Sequence, residues 1–158
     1  MHDTEAKRLA EFSAAVRDST LKRLKRVPTG AENWAPRPNA MSFADLARHL
    51  VDADEWLFRM LQTKDLEPME GKAGAESITH RDEYLRLIDE LERTGRARRD
   101  LLDHMTSGQL DQKIHDARFG GPVSAWWVVV RGNLDHEIHH RGEINAYLKM
   151  AKAGQATG

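Results

Sequence analysis

The sequence predicts an all-α fold, a four-helix bundle whose helices are joined by long crossover connections. Three observations predict it. Apolar residues recur at three- and four-residue steps through four long segments. Glycine- and proline-rich stretches separate those segments. No segment shows sustained two-residue alternation, so no strand is expected. At 158 residues the chain holds about one domain, predicted to occupy 1–158. A chain of this length buries roughly 70% of its unfolded surface and needs no covalent staples.

The first helix runs from Thr4 to about Arg26 on Leu9, Phe12, Val16, Thr20, Leu24 and Val27, and Pro28-Thr29-Gly30 stops it. Ala31 to Ala40, with Trp34, Pro36 and Pro38, predicts an irregular crossing loop. Ser42 suits an N-cap, with Asp45 three residues on as an acidic relative of a capping box. That second helix extends to about Thr63, with Leu46, His49, Ala53, Trp56 and Met60 as its seam. Lys64 to Ala75 carries Pro68, Gly71 and Gly74 and reads as a loop. Thr79 or Ser77 would cap the third helix, which reaches about Met105 on Tyr84, Ile88, Leu91, Gly95, Arg98 and Leu102. Between Ser107 and Pro122 the period lapses, and Gly120-Gly121-Pro122 predicts a stop followed by a helix-starting proline. The fourth helix spans about Val123 to Lys152, and the small, polar tail Ala153 to Gly158 is expected to fray.

Composition removes several function classes. The chain has no cysteine, which excludes disulfide scaffolds, thiolate zinc sites, iron–sulfur clusters and a cysteine nucleophile. Its net charge is −1, from 24 basic and 25 acidic residues, which argues against a nucleic-acid or acidic-membrane binder. The longest apolar run, Ala125 to Val130, has six residues, far short of the roughly 18 that a span requires. The opening Met1-His2-Asp3-Thr4-Glu5 has no apolar stretch and predicts no secretory signal. A cytoplasmic location is the expectation.

Eight histidines carry the functional reading. On the fourth helix one line of positions faces the bundle centre: Val129, Asn133, His136, His140, Glu143, Tyr147 and Met150. Four consecutive members, Asn133 to Glu143, are polar. Burying such a group without a partner costs on the order of 1–3 kcal/mol, so hydrogen bonds or an ion must compensate. His136 and His140, four residues apart, project from adjacent turns of one face. His49 is the strongly polar member of the second seam. Three imidazoles from two helices can bind one divalent ion and leave coordination positions open, the form of a reactive site. Imidazole ligands admit zinc, nickel, copper or iron. Hydrogen-bonded core histidines are the alternative.

Other polar residues take lesser parts. His139 points about 60° to one side of His136 and is either a substitute ligand or a rim residue. Glu143 and Asn133 could orient the ligating rings. Arg98 could receive an anionic substrate or snorkel from a core edge. His2, His80, His104 and His115 fall near segment ends or in loops and read as surface residues. A second apolar line on the fourth helix, Trp127, Val130, Leu134, Ile138 and Leu148, marks a helix either central in its own bundle or in contact with another subunit, and a homodimer through it is the expectation.

Two stretches carry a resemblance to a known family. They are Trp34-Ala-Pro-Arg-Pro-Asn-Ala-Met-Ser-Phe-Ala-Asp-Leu-Ala-Arg-His49-Leu and the late Asp135-His136-Glu-Ile-His-His140-Arg-Gly-Glu-Ile-Asn-Ala-Tyr-Leu148. Together they resemble the DinB-like (YfiT-type) four-helix-bundle superfamily over nearly the whole chain. The resemblance implies a bundle holding a divalent ion, commonly zinc or nickel, by three histidines. Position by position these are His49, His136 and His140. It further implies relatives that are transferases or isomerases using small thiols such as bacillithiol or mycothiol.

Three functions follow for weighing. In the first, a metal-dependent transferase conjugates a small thiol to an electrophile, with Glu143 or His139 moving the proton and Arg98 holding a substrate carboxylate. The same constellation would serve a hydrolase acting through an activated water. In the second, the ion only ties two helices together in a stress-response module. In the third, a helical interaction domain keeps its histidines satisfied without metal.

Overall fold

The computed structural model describes residues 4–63 and 69–157, with side chains as far as residue 152. His2 and the first part of the expected Lys64–Ala75 loop lie outside the described residues. Four long helices form the body: α1 (Thr4–Leu24), α2 (Phe43–Thr63), α3 (Arg81–Asp103) and a continuous fourth helix. The fourth comprises a short turn α5 (Ala125–Trp127), a π-helical stretch Val128–Leu134, and α6 (Asp135–Thr157). Among the described residues, no helix is long and apolar enough to cross a membrane.

Going around the bundle the order is α1, α3, α2, α6, so α1 and α2 are diagonal partners, as are α3 and α6. The α1–α2 and α3–α6 connections therefore cross an end of the bundle. The first crossing is fastened by Trp34, whose ring lies 5.8 Å from Phe43 and 5.6 Å from Tyr147. At the start of α2, Ser42 Oγ accepts from the Asp45 N–H at 3.0 Å and the Asp45 carboxylate accepts from the Ser42 N–H at 2.9 Å. This is the expected reciprocal cap. At α3 the cap residue is His80 rather than Thr79 or Ser77; the Thr79 hydroxyl instead donates to Glu83.

The second crossing departs from the sequence expectation. Residues Lys113–Asp116 (β1) and Gly121–Ser124 (β2) form an antiparallel hairpin, preceded by a short helix α4 (Ser107–Asp111). Each strand has four residues, too short for alternation to show against the background. Gly120 and Gly121 take φ of 79° and 150°, the region open to glycine, and turn the hairpin. Pro122 lies in β2 opposite His115, not at a helix start. Ser124 is the cap instead, its Oγ accepting from the Trp127 N–H at 3.1 Å. At the other end α6 continues to Thr157, past the expected fraying point at Ala153; Ala, Lys and Gln there are good helix formers.

Two apolar clusters occupy the two ends of the bundle. One gathers Leu21, Leu24, Phe43, Leu46, Leu50, Tyr84, Leu91, Ile144 and Tyr147. The other gathers Leu9, Trp56, Met60, Leu102, Ile114, Val129 and Leu134. Along every long helix buried polar residues lie where these clusters meet: Ser13, Arg17 and Thr20; His49 and Asp54; Thr94 and Arg98; Asn133, Glu137 and His140. The bundle has a polar waist.

Candidate metal centre

Half of that waist is an ion cluster. Arg17 donates to Glu137 at 2.7 and 3.1 Å and to Asp54 at 2.8 Å. Arg98, fully buried, donates to Glu137 at 2.6 Å, Asn133 at 3.0 Å, Asp54 at 3.1 Å and Ser13 Oγ at 2.6 Å. Thr20 and Thr94 hydroxyls donate to Glu137 and Asp54 at 2.7 and 2.8 Å. Burial alone would raise the Glu137 carboxyl, but Arg98 and Arg17 more than offset it and hold the group well below the usual carboxylate range. Two cations and two anions from four helices neutralise one another. Arg98 thus serves this cluster and has no exposed surface for a substrate carboxylate, and Asn133 orients Arg98 rather than an imidazole.

The other half is the histidine cluster. His49 comes from α2, one turn beyond Asp45 of the Ser42–Asp45 cap, and the α2–α3 connection is laced down over it. Asp45 accepts the Gly74 and Glu76 N–H groups, both at 2.8 Å, and Arg48 grips Glu76 at 2.7 Å and Glu90 at 3.0 Å. Gly71 sits so close that a Cβ there would lie 2.9 Å from the His49 ring and 2.6 Å from the Met41 sulfur. His136 and His140 come from the first turns of α6, directly after the π-helical stretch. A π turn re-phases a helix within a single turn and is frequent at functional sites.

The three Nε2 atoms converge. His49 Nε2 and His136 Nε2 are 2.8 Å apart, and His136 Nε2 and His140 Nε2 are 3.0 Å apart. The rings stand nearly perpendicular, with centroids 4.4–4.8 Å apart. All three potential donor atoms lie within 4.8 Å of one another. His49 and His140 are 5% and 7% exposed; His136 is half-buried. Burial, with the neighbouring imidazoles, lowers His49 to about 4 and His136 to about 3. Burial also lowers His140, against the opposing pull of Glu143. Neutral rings are the form that binds metal.

Proton counting tests whether the residues fit an ion. His140 Nδ1 lies 2.7 Å from Glu143 Oε1, and a carboxylate only accepts, so the His140 proton sits on Nδ1 and its Nε2 is bare. His136 Nε2 then faces one bare acceptor at 3.0 Å and a second imidazole nitrogen at 2.8 Å with one proton at most to offer. Its Nδ1 is buried without a hydrogen-bond partner among the described residues. Hydrogen bonding alone leaves this cluster under-satisfied. A cation taking three lone pairs at about 2.0–2.1 Å removes the conflict at Nε2. His49, His136 and His140 could hold a divalent transition metal, and Glu143 is already placed to orient His140.

His139 stands at the rim, 71% exposed, with Nε2 3.2 Å from Glu143 Oε1. It groups with His140 and Glu143 but not with His49. His80, His104 and His115 are exposed, as expected. Sequence reasoning missed Glu137. The line chosen through His136 and Glu143 predicted Met150 inside, yet Met150 is 46% exposed. The buried line on α6 instead runs Glu137, His140, Ile144, Tyr147, Ala151. The signal that could have found it was the seven-residue step Glu137, Ile144, Ala151.

Comparison with known proteins agrees with this architecture. The chain is similar to a crystal structure of a DinB-like protein, YjoA, from Bacillus subtilis: TM-score 0.69, 19% identity, 92% of each chain covered. At that identity the likeness establishes the fold alone. No curated protein matches. The family model of the DinB superfamily matches residues 14–144, a span that takes in all of the polar waist but Ser13 and all three converging histidines, and the chain belongs to that superfamily.

Proposed function

We propose that this protein is a divalent-metal-binding enzyme, a transferase that joins a low-molecular-weight thiol of the bacillithiol or mycothiol kind to an electrophile. The observation that carries the reading is the convergence of three neutral Nε2 atoms in a cluster that protons alone leave unsatisfied. Zinc or nickel suits three imidazoles. When bound, such an ion supplies Lewis acidity that lowers the pKa of a thiol. The chain's own residues do the rest. Three ligands from His49, His136 and His140 would leave coordination positions of the ion free for substrate, and Glu143 fixes the His140 ring. The thiol proton must leave as the sulfur–carbon bond forms and the electrophile's leaving group departs. In this reading the Glu143 carboxylate receives that proton, and its Oε1, 3.2 Å from Nε2 of the exposed His139, can pass it to that ring.

A cytoplasmic location, where such thiols are kept reduced, belongs to this reading. So does a homodimer through the fourth helix, where Trp127 is 38% exposed and Trp126, Val130, Ile138 and Leu148 are half-buried; Leu134 belongs to the core instead. Sedimentation showing only an 18.0 kDa species at micromolar concentration would contradict the dimer. The transferase is tested by incubating metal-loaded protein with each thiol and a reactive electrophile. Conjugation should exceed the uncatalysed rate and vanish in His49→Ala. Equal rates in both proteins would leave a metal-binding module without this activity.

A further inference from the structure

The guanidinium of Arg118, in the turn of the hairpin, is held rigidly on one edge and open on another. Nε donates to Asp116 Oδ1 at 3.0 Å and Nη2 donates to Oδ2 at 2.6 Å. Asp116 is 2% exposed, so the anchor is buried. Burial works against the Asp116 charge, but Arg118 more than offsets it and keeps the carboxyl below its usual range. The guanidinium also rests over Trp56 at 4.3 Å and beside Phe119 at 5.2 Å, which fixes its plane. Side-on pairing with Asp116 uses Nε and one proton of Nη2. The end-on edge, Nη1 with the other Nη2 proton, forms a second complete fork for a carboxylate. Nη1 has no partner among the described residues, and the side chain is 29% exposed.

This fork lies against the fourth helix one turn before His136. A Cβ at Gly132 would stand 2.8 Å from Arg118 Nη2 and 3.6 Å from the Trp56 ring. Gly132 precedes His136 by four residues, about 6 Å along the helix, and Trp56 follows His49 by seven, two turns along the same face of α2. The absence of a side chain at residue 132 is what lets the guanidinium lie against the helix one turn from the cluster.

We propose that Arg118 is the anion-receiving residue of the histidine site, its end-on edge binding a carboxylate of the small molecule whose other end meets the metal-binding histidines. The inference rests on the metal-site reading and narrows its substrates to acids: a thiol, or an electrophile, with a carboxylate a few atoms from its reacting group. It also gives the anion-binding part to Arg118, which is accessible, in place of the buried Arg98.

The test compares mercaptopropionate with mercaptoethanol, which carry the same thiol and differ by carboxylate against hydroxyl. Zinc-loaded wild type, Arg118→Gln and Arg118→Lys are titrated calorimetrically, with zinc content measured for each. Wild type should bind the acid about tenfold more tightly than the alcohol. Both variants should lose that preference while keeping their zinc. Arg118→Lys retains a cation for Asp116 and so guards against loss of the hairpin. An unchanged preference in either folded variant, or none in wild type, overturns the proposal. Failure of the metal reading shows separately, as wild type that retains no zinc. Propionate is then titrated against tryptophan fluorescence: binding lost in Arg118→Lys upholds the anion site, and no binding to wild type overturns it.

Discussion

Two polar groups share the waist of this bundle, and they are completed differently. In the Arg17–Asp54–Arg98–Glu137 cluster, charge balances charge, and each carboxylate accepts from both guanidiniums and a threonine hydroxyl. In the adjacent His49–His136–His140 cluster, three bases face one another and one nitrogen of His136 has no partner among the described residues. The groups are one residue apart on α6, at His136 and Glu137, yet one is closed and the other is open. Polarity in a core seam does not by itself mark a site. A site is marked where the chain fails to satisfy what it has buried.

The sharpest break in the comparison is at Glu137. Replacing it by alanine leaves Arg17 and Arg98 buried with one carboxylate between them, and breaking a buried pair in this way costs about 3–5 kcal/mol. Urea unfolding of the metal-free protein should show that loss for Glu137→Ala, and less than about 2 kcal/mol for His136→Ala, which removes a group already short of partners. Equal losses would erase the distinction between the clusters.

Glu143→Ala sharpens the open side. It removes the acceptor that fixes the tautomer of His140, so zinc affinity should fall about 10–100-fold. Metal-free stability should stay within about 0.5 kcal/mol, since Glu143 is at the edge of the waist. Competition with a chromophoric chelator reads the first quantity and denaturant titration the second.

Acid separates the clusters by the pH at which each loses its stabilisation. The folded chain holds His49 near 4 and His136 near 3, whereas an unfolded histidine titrates at about 6.5. As pH falls below about 6.5 the unfolded chain takes up protons that the buried rings refuse, so metal-free stability declines toward pH 4. Above that range both states are neutral and the contribution is flat. Glu137 is depressed relative to an unfolded value of about 4.3, so its stabilisation persists above that value and is lost only as pH falls below it. The urea midpoint of metal-free wild type should therefore drop between pH 7 and pH 5, and the drop should shrink in a His49→Ala/His136→Ala double variant.

Much of this was legible in the sequence because long-range order here follows from local period. The seam Leu46, His49, Ala53, Trp56, Met60 is buried throughout, and its one strongly polar member is the residue that meets the α6 histidines. Crossing order was not legible, since connection length does not say which helices end as diagonals. The hairpin escaped because two four-residue strands carry too little pattern. Arg17 and Glu137 escaped for another reason: on a helix rich in Lys and Arg, or beside three histidines, one more charged residue reads as surface until its counter-charges from the other helices are in view. Arg118 was hidden in the same lapse of period as the hairpin that carries it.

Elemental analysis decides the central claim most directly. Untagged protein is stripped with chelator, reconstituted with zinc or with nickel, and freed of excess ion. Wild type should retain one equivalent per chain, while His49→Ala, folded to the same extent by circular dichroism, should retain almost none. Wild type that emerges without metal, or His49→Ala that keeps a full equivalent, would contradict the account.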